Sequence, residues 1–315
     1  MIPIPVNNSY AEEHYNDVKD ILLHHINRVL IRGRIKKNKT TIILSAGLRN
    51  YLNQLSNIAN NLLKDLITQS PQDIVEYVTN QNQTYSSYID EYSPDNIILK
   101  NIFVSHGYEK EFKKWGFINK ISIDTCPYCN RNYIYTTSKN KDIKPEIDHF
   151  FPKSKYPILG LSYFNLIPSC KSCNGFGAKE SNDPFNEELT NPYLIKNTDF
   201  TLSHIIKNIA IINPISGKSN VEVHFKESIP SHLRIFNLKE LYELHNDHAI
   251  ELVIKRKLKY SKKYREYLKS YDYLKFSDSE IDRMILGNYA LEKEQHKRPL
   301  SKMYQDIGKE LGLIK

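Results

Sequence analysis

"EIDHFFPKSKYP", residues 146–157, sets Asp148 and His149 side by side at the end of an apolar run that stops at Pro152. In a flat strand, neighbouring side chains point to opposite faces. A carboxylate and an imidazole at consecutive positions therefore serve one site only where the strand bends. Pro152 gives a reason for a bend just behind them. What such a pair does depends on what flanks it.

The flanks are two matched turns. "TCPYCN" contains Cys126 and Cys129, and "PSCKSCN" contains Cys170 and Cys173; the sequence has no other cysteine. Two Cys-x-x-Cys turns complete a tetrahedron of soft sulfur ligands, which suits a structural Zn²⁺. A disulfide framework is the alternative, with three connectivities, and it fits a chain of 315 residues poorly. A thioredoxin-like redox motif needs one such turn in a βαβ unit. The zinc acts as a clamp holding the ends of the 130–169 insert together. Within that insert, 130–138 reads as a strand, 139–142 as a turn and 143–151 as a second strand. A loop with Pro157 and Gly160 follows, and a short helix starts near Lys171.

The stretch "CPYCN…EIDHFFPKS…FNLIPSCKSCN" resembles the HNH endonucleases, whose fold is the ββα-metal unit, in their zinc-stapled form. The resemblance covers about residues 122–182. Its signature is Asp148-His149, Asn165 and Asn174, with steps of 16 and 9 from His149. It implies that His149 is the general base that takes a proton from water. It implies that Asp148 binds a divalent cation and that Asn174 is the second metal ligand. Asn165 would bond backbone groups and hold the loop that aims His149. The chemistry agrees: a neutral imidazole accepts a proton near pH 7, and a divalent ion stabilises the charge developing on a phosphodiester. The pair would straddle a phosphate, with metal on one side and water on the other.

Two departures stand out. Asn174 stands where many relatives have His, and Ala178, one turn later, cannot ligate. One carboxylate and one amide suit Mg²⁺ or Mn²⁺ better than zinc or nickel. Gly175 and Gly177 each weaken the helix by about 1 kcal/mol. Lys153, Lys155 and Lys179 are candidates for phosphate contact or ordinary surface lysines. Glu146 is either a supporting carboxylate or an exposed one.

The whole chain carries a formal net charge of +8, which favours polyanionic partners. An apolar share of 40% places it among ordinary soluble domains. The start "MIPIPVNNSY" lacks a secretory pattern, and no apolar run nears the roughly 18–20 residues of a membrane span. The expected location is cytoplasmic, with no membrane partner.

Residues 10–70 read as two amphipathic helices joined by the basic connector "RGRIKKNK" (32–39). That connector is either a solvated loop or a nucleic-acid contact. Residues 200–226 read as a hairpin around "PISGKSN". The segment from His245 to Tyr271 reads either as a cationic helix with tyrosine platforms suited to nucleic acid, or as an ordinary helix whose apolar face, Ile250, Val253, Ile254 and Leu258, meets the core while its lysines face water. His24 and His25 show no ligand partners, and His245 and His248 lack a third ligand.

The expected class is α+β: a zinc-stapled ββα-metal core (118–190) embedded between mainly helical regions at 1–117 and 191–315. The expected function is a metal-dependent HNH endonuclease, with DNA favoured over RNA. Structural Zn²⁺ and catalytic Mg²⁺ or Mn²⁺ would be its cofactors. The motif's spelling is also similar to the nucleases of bacterial anti-phage systems of the Septu type, which work beside an ATPase. No P-loop appears in this chain, so an ATPase partner would be a separate protein. The alternatives are a zinc-stapled nucleic-acid-binding module without catalysis, and a subunit active only with its partner.

Overall fold

The computed structural model describes residues 1–84, 86–137, 145–175, 178–180, 182–207, 220–259, 262–271, 273 and 275–314. Helix α1 (Asn8–Arg32) starts where the Asn7 side chain accepts the Tyr10 N–H. It ends at Gly33, whose φ of 62° lets its N–H bond the Val29 carbonyl. Ala11, His14, Val18, Leu22, Ile26 and Val29 bury one face of it.

Beyond Arg32, which ends α1, the basic connector is not an open loop. It forms an antiparallel hairpin of β1 (Arg34–Lys37) and β2 (Thr40–Ile43), with Asn38 in the left-handed region at φ 54°. The single helix expected over 48–67 is broken into α2 (Ala46–Ser56) and α3 (Leu62–Thr68). The cause is asparagine chemistry. Asn57 Oδ1 accepts from Ala59 N, Asn60 Oδ1 accepts from Leu62 N, and Asn61 adopts φ 57°. Such side chains offer the backbone partners that compete with the helix.

Helices α4 (Pro71–Thr84), α5 (Ser86–Ile89) and α6 (Pro94–Leu99) follow, and α6 runs straight into a π-helix over Lys100–Glu111. A π-helix of this length is rare, since most are single-turn bulges. It packs against α1 and against the segment Pro157–Leu161. Gly107 is the point of closest approach: a Cβ there would lie 2.9 Å from Leu161 Cδ1. Helix α7 (Lys114–Ile121) leads to the first cysteine turn.

The central unit is β3 (Glu146–His149), a long loop, β4 (Leu166–Ser169) and a short helix α8 (Lys171–Asn174). β3 and β4 pair antiparallel, with Asp148 opposite Ile167 and His149 opposite Leu166. This corrects the expected pairing of β3 with residues 130–138. In the described part of that run there is only an isolated bridge between Thr125 and Tyr133. The expected turn at 139–142, and Ser138, Ile143 and Lys144, lie outside the described residues, as does Gly177.

Helix α9 (Pro184–Glu187) precedes the hairpin of β5 (Thr201–Ile206) and β6 (Val221–Glu227). Most of the turn expected between them lies outside the described residues. Five further helices follow: α10 (Pro230–Ile235), α11 (Leu238–Glu243), α12 (Asn246–Ile254), α13 (Lys262–Lys269) and α14 (Asp278–Leu286). The expected cationic helix is thus divided between α12, a π-helical Lys255–Lys259 and α13. Val253 is buried, Ile250 and Ile254 are partly buried against the core, and the Leu258 side chain is outside the described set. The last helix, α15 (Ser301–Glu310), packs on β5, where Asp306 accepts the Leu202 N–H.

The class is mixed: mainly helical, with three two-stranded antiparallel sheets among the described residues. Buried apolar side chains from Met1 to Ile314 form one contiguous core. Among the described residues no helix is long and apolar enough to cross a membrane.

One core histidine gives the fold a pH dependence. His14 is buried against Phe112, Phe117 and Tyr163, with Nε2 2.8 Å from the Leu161 carbonyl oxygen. Burial lowers its pKa from 6.5 to about 4, against the opposing effect of the Leu161 bond. The unfolded chain therefore takes up this proton first. His14's contribution is full above about pH 6.5 and is lost as pH falls towards 4, by about 3 kcal/mol. Urea titrations at pH 7 and pH 4 should show a smaller loss in His14→Gln than in the native protein. Equal losses would exclude His14 as the source.

Candidate functional site

The four cysteines come together. Cys126, Cys129, Cys170 and Cys173 are buried and unpaired by disulfides, with all four sulfurs within 4.8 Å of one another. Cys129 Sγ and Cys170 Sγ are 3.9 Å apart, close to the ~3.8 Å edge of a tetrahedron with Zn–S bonds of about 2.3 Å. The Arg131 N–H points at Cys129 Sγ and the Asn132 amide at Cys170 Sγ, as donors that support thiolate ligands. Hydrogen bonds from Cys126, then Cys129 and Cys173, push the Cys170 thiol pKa down, while Cys173 is pushed up. The cluster can hold a zinc ion.

Both halves of the cluster are anchored. Asn130, at φ 49°, accepts the Leu300 N–H at its carbonyl and the Lys302 N–H at Oδ1, and donates to the Gln295 carbonyl. Tyr242 donates its hydroxyl to the Cys129 carbonyl. The second pair is carried at the start of α8, so the cluster fixes that helix against the end of β4.

Asp148 and His149 diverge from β3. Asp148 is buried, with Oδ2 accepting from the Tyr128 hydroxyl at 2.6 Å and Oδ1 from the Lys179 ammonium at 3.0 Å. Burial first, and then Asp148, keep the Tyr128 phenol protonated as a donor. His149 turns the other way. Its Nε2 is 3.0 Å from the Gly160 carbonyl oxygen, and its ring meets the edge of Tyr108 at 4.4 Å. That bond places the proton on Nε2 and leaves the lone pair on Nδ1. Burial, followed by Lys153, lowers its pKa to about 3, so the imidazole is neutral near pH 7.

The bend behind them is made by Asn165. Its carbonyl accepts the Phe150 N–H, its Oδ1 accepts the Phe151 N–H, and its Nδ2 donates to the Phe151 and Leu159 carbonyls. A side chain thus takes the place of the next β4 residue, and the strand leaves the sheet after His149.

Asp148, His149, Asn174, Lys153 and Glu180 line one open recess of about 300 Å³. Asn174 Nδ2 donates to Glu146 at 2.8 Å, while the recess itself presents the Asp148, Asn174 and Glu180 side chains. Its oxygen donors are of the type that Mg²⁺ and Mn²⁺ prefer. Asp148 uses two of about four acceptor positions on Tyr128 and Lys179, which leaves capacity for a cation. A hard divalent ion would draw on donors of this kind.

The three lysines differ. Lys153 pairs with Glu109 at 3.2 Å at the edge of the recess, and Lys155 is turned to Asp183 at 2.6 Å. Lys179 is not a surface lysine: it is fully buried, bonded to Asp148 and to the His149 carbonyl. Its charge is compensated inside the protein, so it does not reach phosphate in this arrangement. Two further participants, Tyr108 and Tyr128, escape a reading of the sequence alone. Tyr128 lies inside the first cysteine turn, a position worth noting. Tyr108 has no local signal at all.

The remaining histidines are also placed. His25 is buried, with Nε2 2.6 Å from Glu111, and stacks on His106. His245, Asp247 and His248 cluster, but Arg131 donates to His245 Nε2 at 2.8 Å and Tyr304 is 2.6 Å from His248 Nδ1.

Among known proteins, a short stretch is similar to the Septu protein PtuB of Bacillus thuringiensis. The two are 47% identical over 47 residues, 15% of this chain and 18% of PtuB. A longer stretch is similar to protein ea31 of Escherichia phage lambda, 26% identical over 152 residues, 46% of this chain and 48% of ea31. The chain spans less than half the length of either relative. No protein-family model and no solved structure matches it.

Proposed function

We propose that the chain is a metal-dependent endonuclease of the HNH type that hydrolyses nucleic-acid phosphodiesters, DNA ahead of RNA. The observation that carries this reading is the convergence of Asp148, His149 and Asn174 on one recess beside the cysteine cluster. In this reading Asp148 and Asn174 hold Mg²⁺ or Mn²⁺, which when bound supplies charge for the developing oxyanion and the leaving oxygen. His149 takes the proton of the attacking water on Nδ1. The Gly160 carbonyl holds the other ring nitrogen, and Tyr108 fixes the ring plane. Asn165 keeps the bend that aims His149. Lys153 lies at the edge of the recess, where it meets the phosphate.

The short likeness to a Septu protein supports a place in anti-phage defence; an ATPase as its partner belongs to the proposal. One observation favours a second reading, a zinc-stapled binding module without catalysis. Lys179 already balances the Asp148 carboxylate, which lessens its pull on a metal. The two readings separate when purified protein is incubated with plasmid, single-stranded DNA and total RNA, in Mg²⁺, Mn²⁺ or EDTA. The nuclease reading expects cleavage only with added Mg²⁺ or Mn²⁺, leaving 5′-phosphate ends. Binding of all three without cleavage in any metal, with the candidate partner present, would establish the module instead.

A further inference from the structure

We propose that the concavity between the end of α1 and the β1–β2 hairpin is a second nucleic-acid site, one that docks the phosphate backbone. It has a volume of about 440 Å³ and is lined by Arg28, Arg32, Arg34, Lys36, Asn101 and His106. Arg28 and Arg32 are one turn apart on α1 and share a face. Gly33, in its left-handed conformation, reverses the chain into β1. Arg34 and Lys36 then share one face of the strand, while Ile35 between them is buried. Four cations are thus aimed into one hollow by a helix end and a strand start.

Among the described residues their charge meets no counter-charge: no carboxylate lines the concavity and none of the four cations is in an ion pair. The nearby Glu111 is engaged by His25. A helix C-terminus attracts cations through its free carbonyls, but here the Val29 carbonyl is bonded by Gly33 and the Leu30 carbonyl by Arg49. Cations gathered without counter-charge suit an anion that comes from outside.

The anion is a chain of phosphates rather than a free nucleotide. The basic run continues past the concavity as exposed Lys37 and Lys39. Among the described residues no Phe, Tyr or Trp lines the hollow to stack a base. Phosphate contacts of this type set register and orientation without reading sequence. Asn101 and His106 belong to the same π-helix as Tyr108, which touches His149. Backbone docked here is therefore held by the element that also fixes the proposed base.

This proposal rests on the reading of the chain as a protein that acts on nucleic acid, so binding is measured apart from cleavage. Duplex DNA carrying a fluorophore is titrated without divalent ions at several salt concentrations. Arg34→Ala/Lys36→Ala should bind at least tenfold more weakly at low salt. Its slope of log affinity against log salt should be shallower by about 1.8, for two lost phosphate contacts. Lys226→Ala/Lys293→Ala removes the same charge from exposed positions elsewhere and should leave the slope unchanged. Equal melting temperatures for both variants show that the fold is kept. Equal slopes would overturn the proposal. So would adenosine triphosphate that displaces DNA from the native protein at micromolar concentration, which would mark a nucleotide site. Pocket-dependent binding without cleavage in any metal leaves the docking site standing and removes the nuclease reading. Metal-dependent cleavage with an unchanged slope in the variant does the reverse.

Discussion

Cys170→Ser should leave the protein without its zinc and unfold the region around β3, β4 and α8. Elemental analysis of native protein purified without chelator should give one zinc per chain. A structural site of four thiolates contributes on the order of 10 kcal/mol to folding, more than the whole net stability of many domains. Removing one ligand should cost several kcal/mol. The loss spreads because the cluster holds Tyr128 against Asp148 and Asn130 against the C-terminal segment. Near-UV circular dichroism and thermal melting would follow it. Native protein free of zinc, or a Cys170→Ser variant that melts with the native protein, would remove the clamp from the account.

His149→Ala should fold, keep its zinc and bind nucleic acid, while cleavage falls by roughly 10²–10⁴-fold, the range that general-base catalysis supplies. Excess Mg²⁺ or Mn²⁺ should not restore it, because no metal replaces a proton acceptor on Nδ1. Asp148→Asn and Asn174→Ala should lose activity through weaker metal binding, and high metal should rescue part of it. Asn is the better change at 148: either substitution removes the counter-charge of buried Lys179, a cost of about 3–5 kcal/mol, but Asn keeps a side-chain oxygen to accept from its ammonium. Asn165→Ala should keep metal affinity but cut more slowly, and lose about 1–3 kcal/mol for the unpaired Phe151 N–H. Native-level cleavage by His149→Ala with zinc retained would move the search to His245 and His248.

What the sequence reveals here follows the range over which each signal acts. The cysteine turns are local and chemically unusual, so their convergence could be read directly. The β5 and β6 runs, and most of α1, also follow from local pattern. The partner of β3 did not. Residues 130–137 are richer in β-branched and aromatic side chains than Leu166–Ser169, which contains Pro168. Tertiary pairing overrode that preference, and β4 takes the proline on a two-stranded sheet, where edges are available. The break at Asn57–Asn61 is visible once each asparagine is treated as a competing acceptor. The π-helix has no comparable local mark. Neither does the burial of Lys179, because a lysine reads as surface until its acid is known.

Asn130 ties the first cysteine turn to Lys302, which lies 172 positions later in the chain. During synthesis that gap amounts to roughly 10–30 s on the ribosome. Throughout that time the turn, Tyr128 and the Asp148 carboxylate it holds lack their last anchor. The nascent chain therefore carries the recess around Asp148 in an unfinished state until α15 emerges. A truncated product that ends before α15 is left without that anchor, whatever metal it meets.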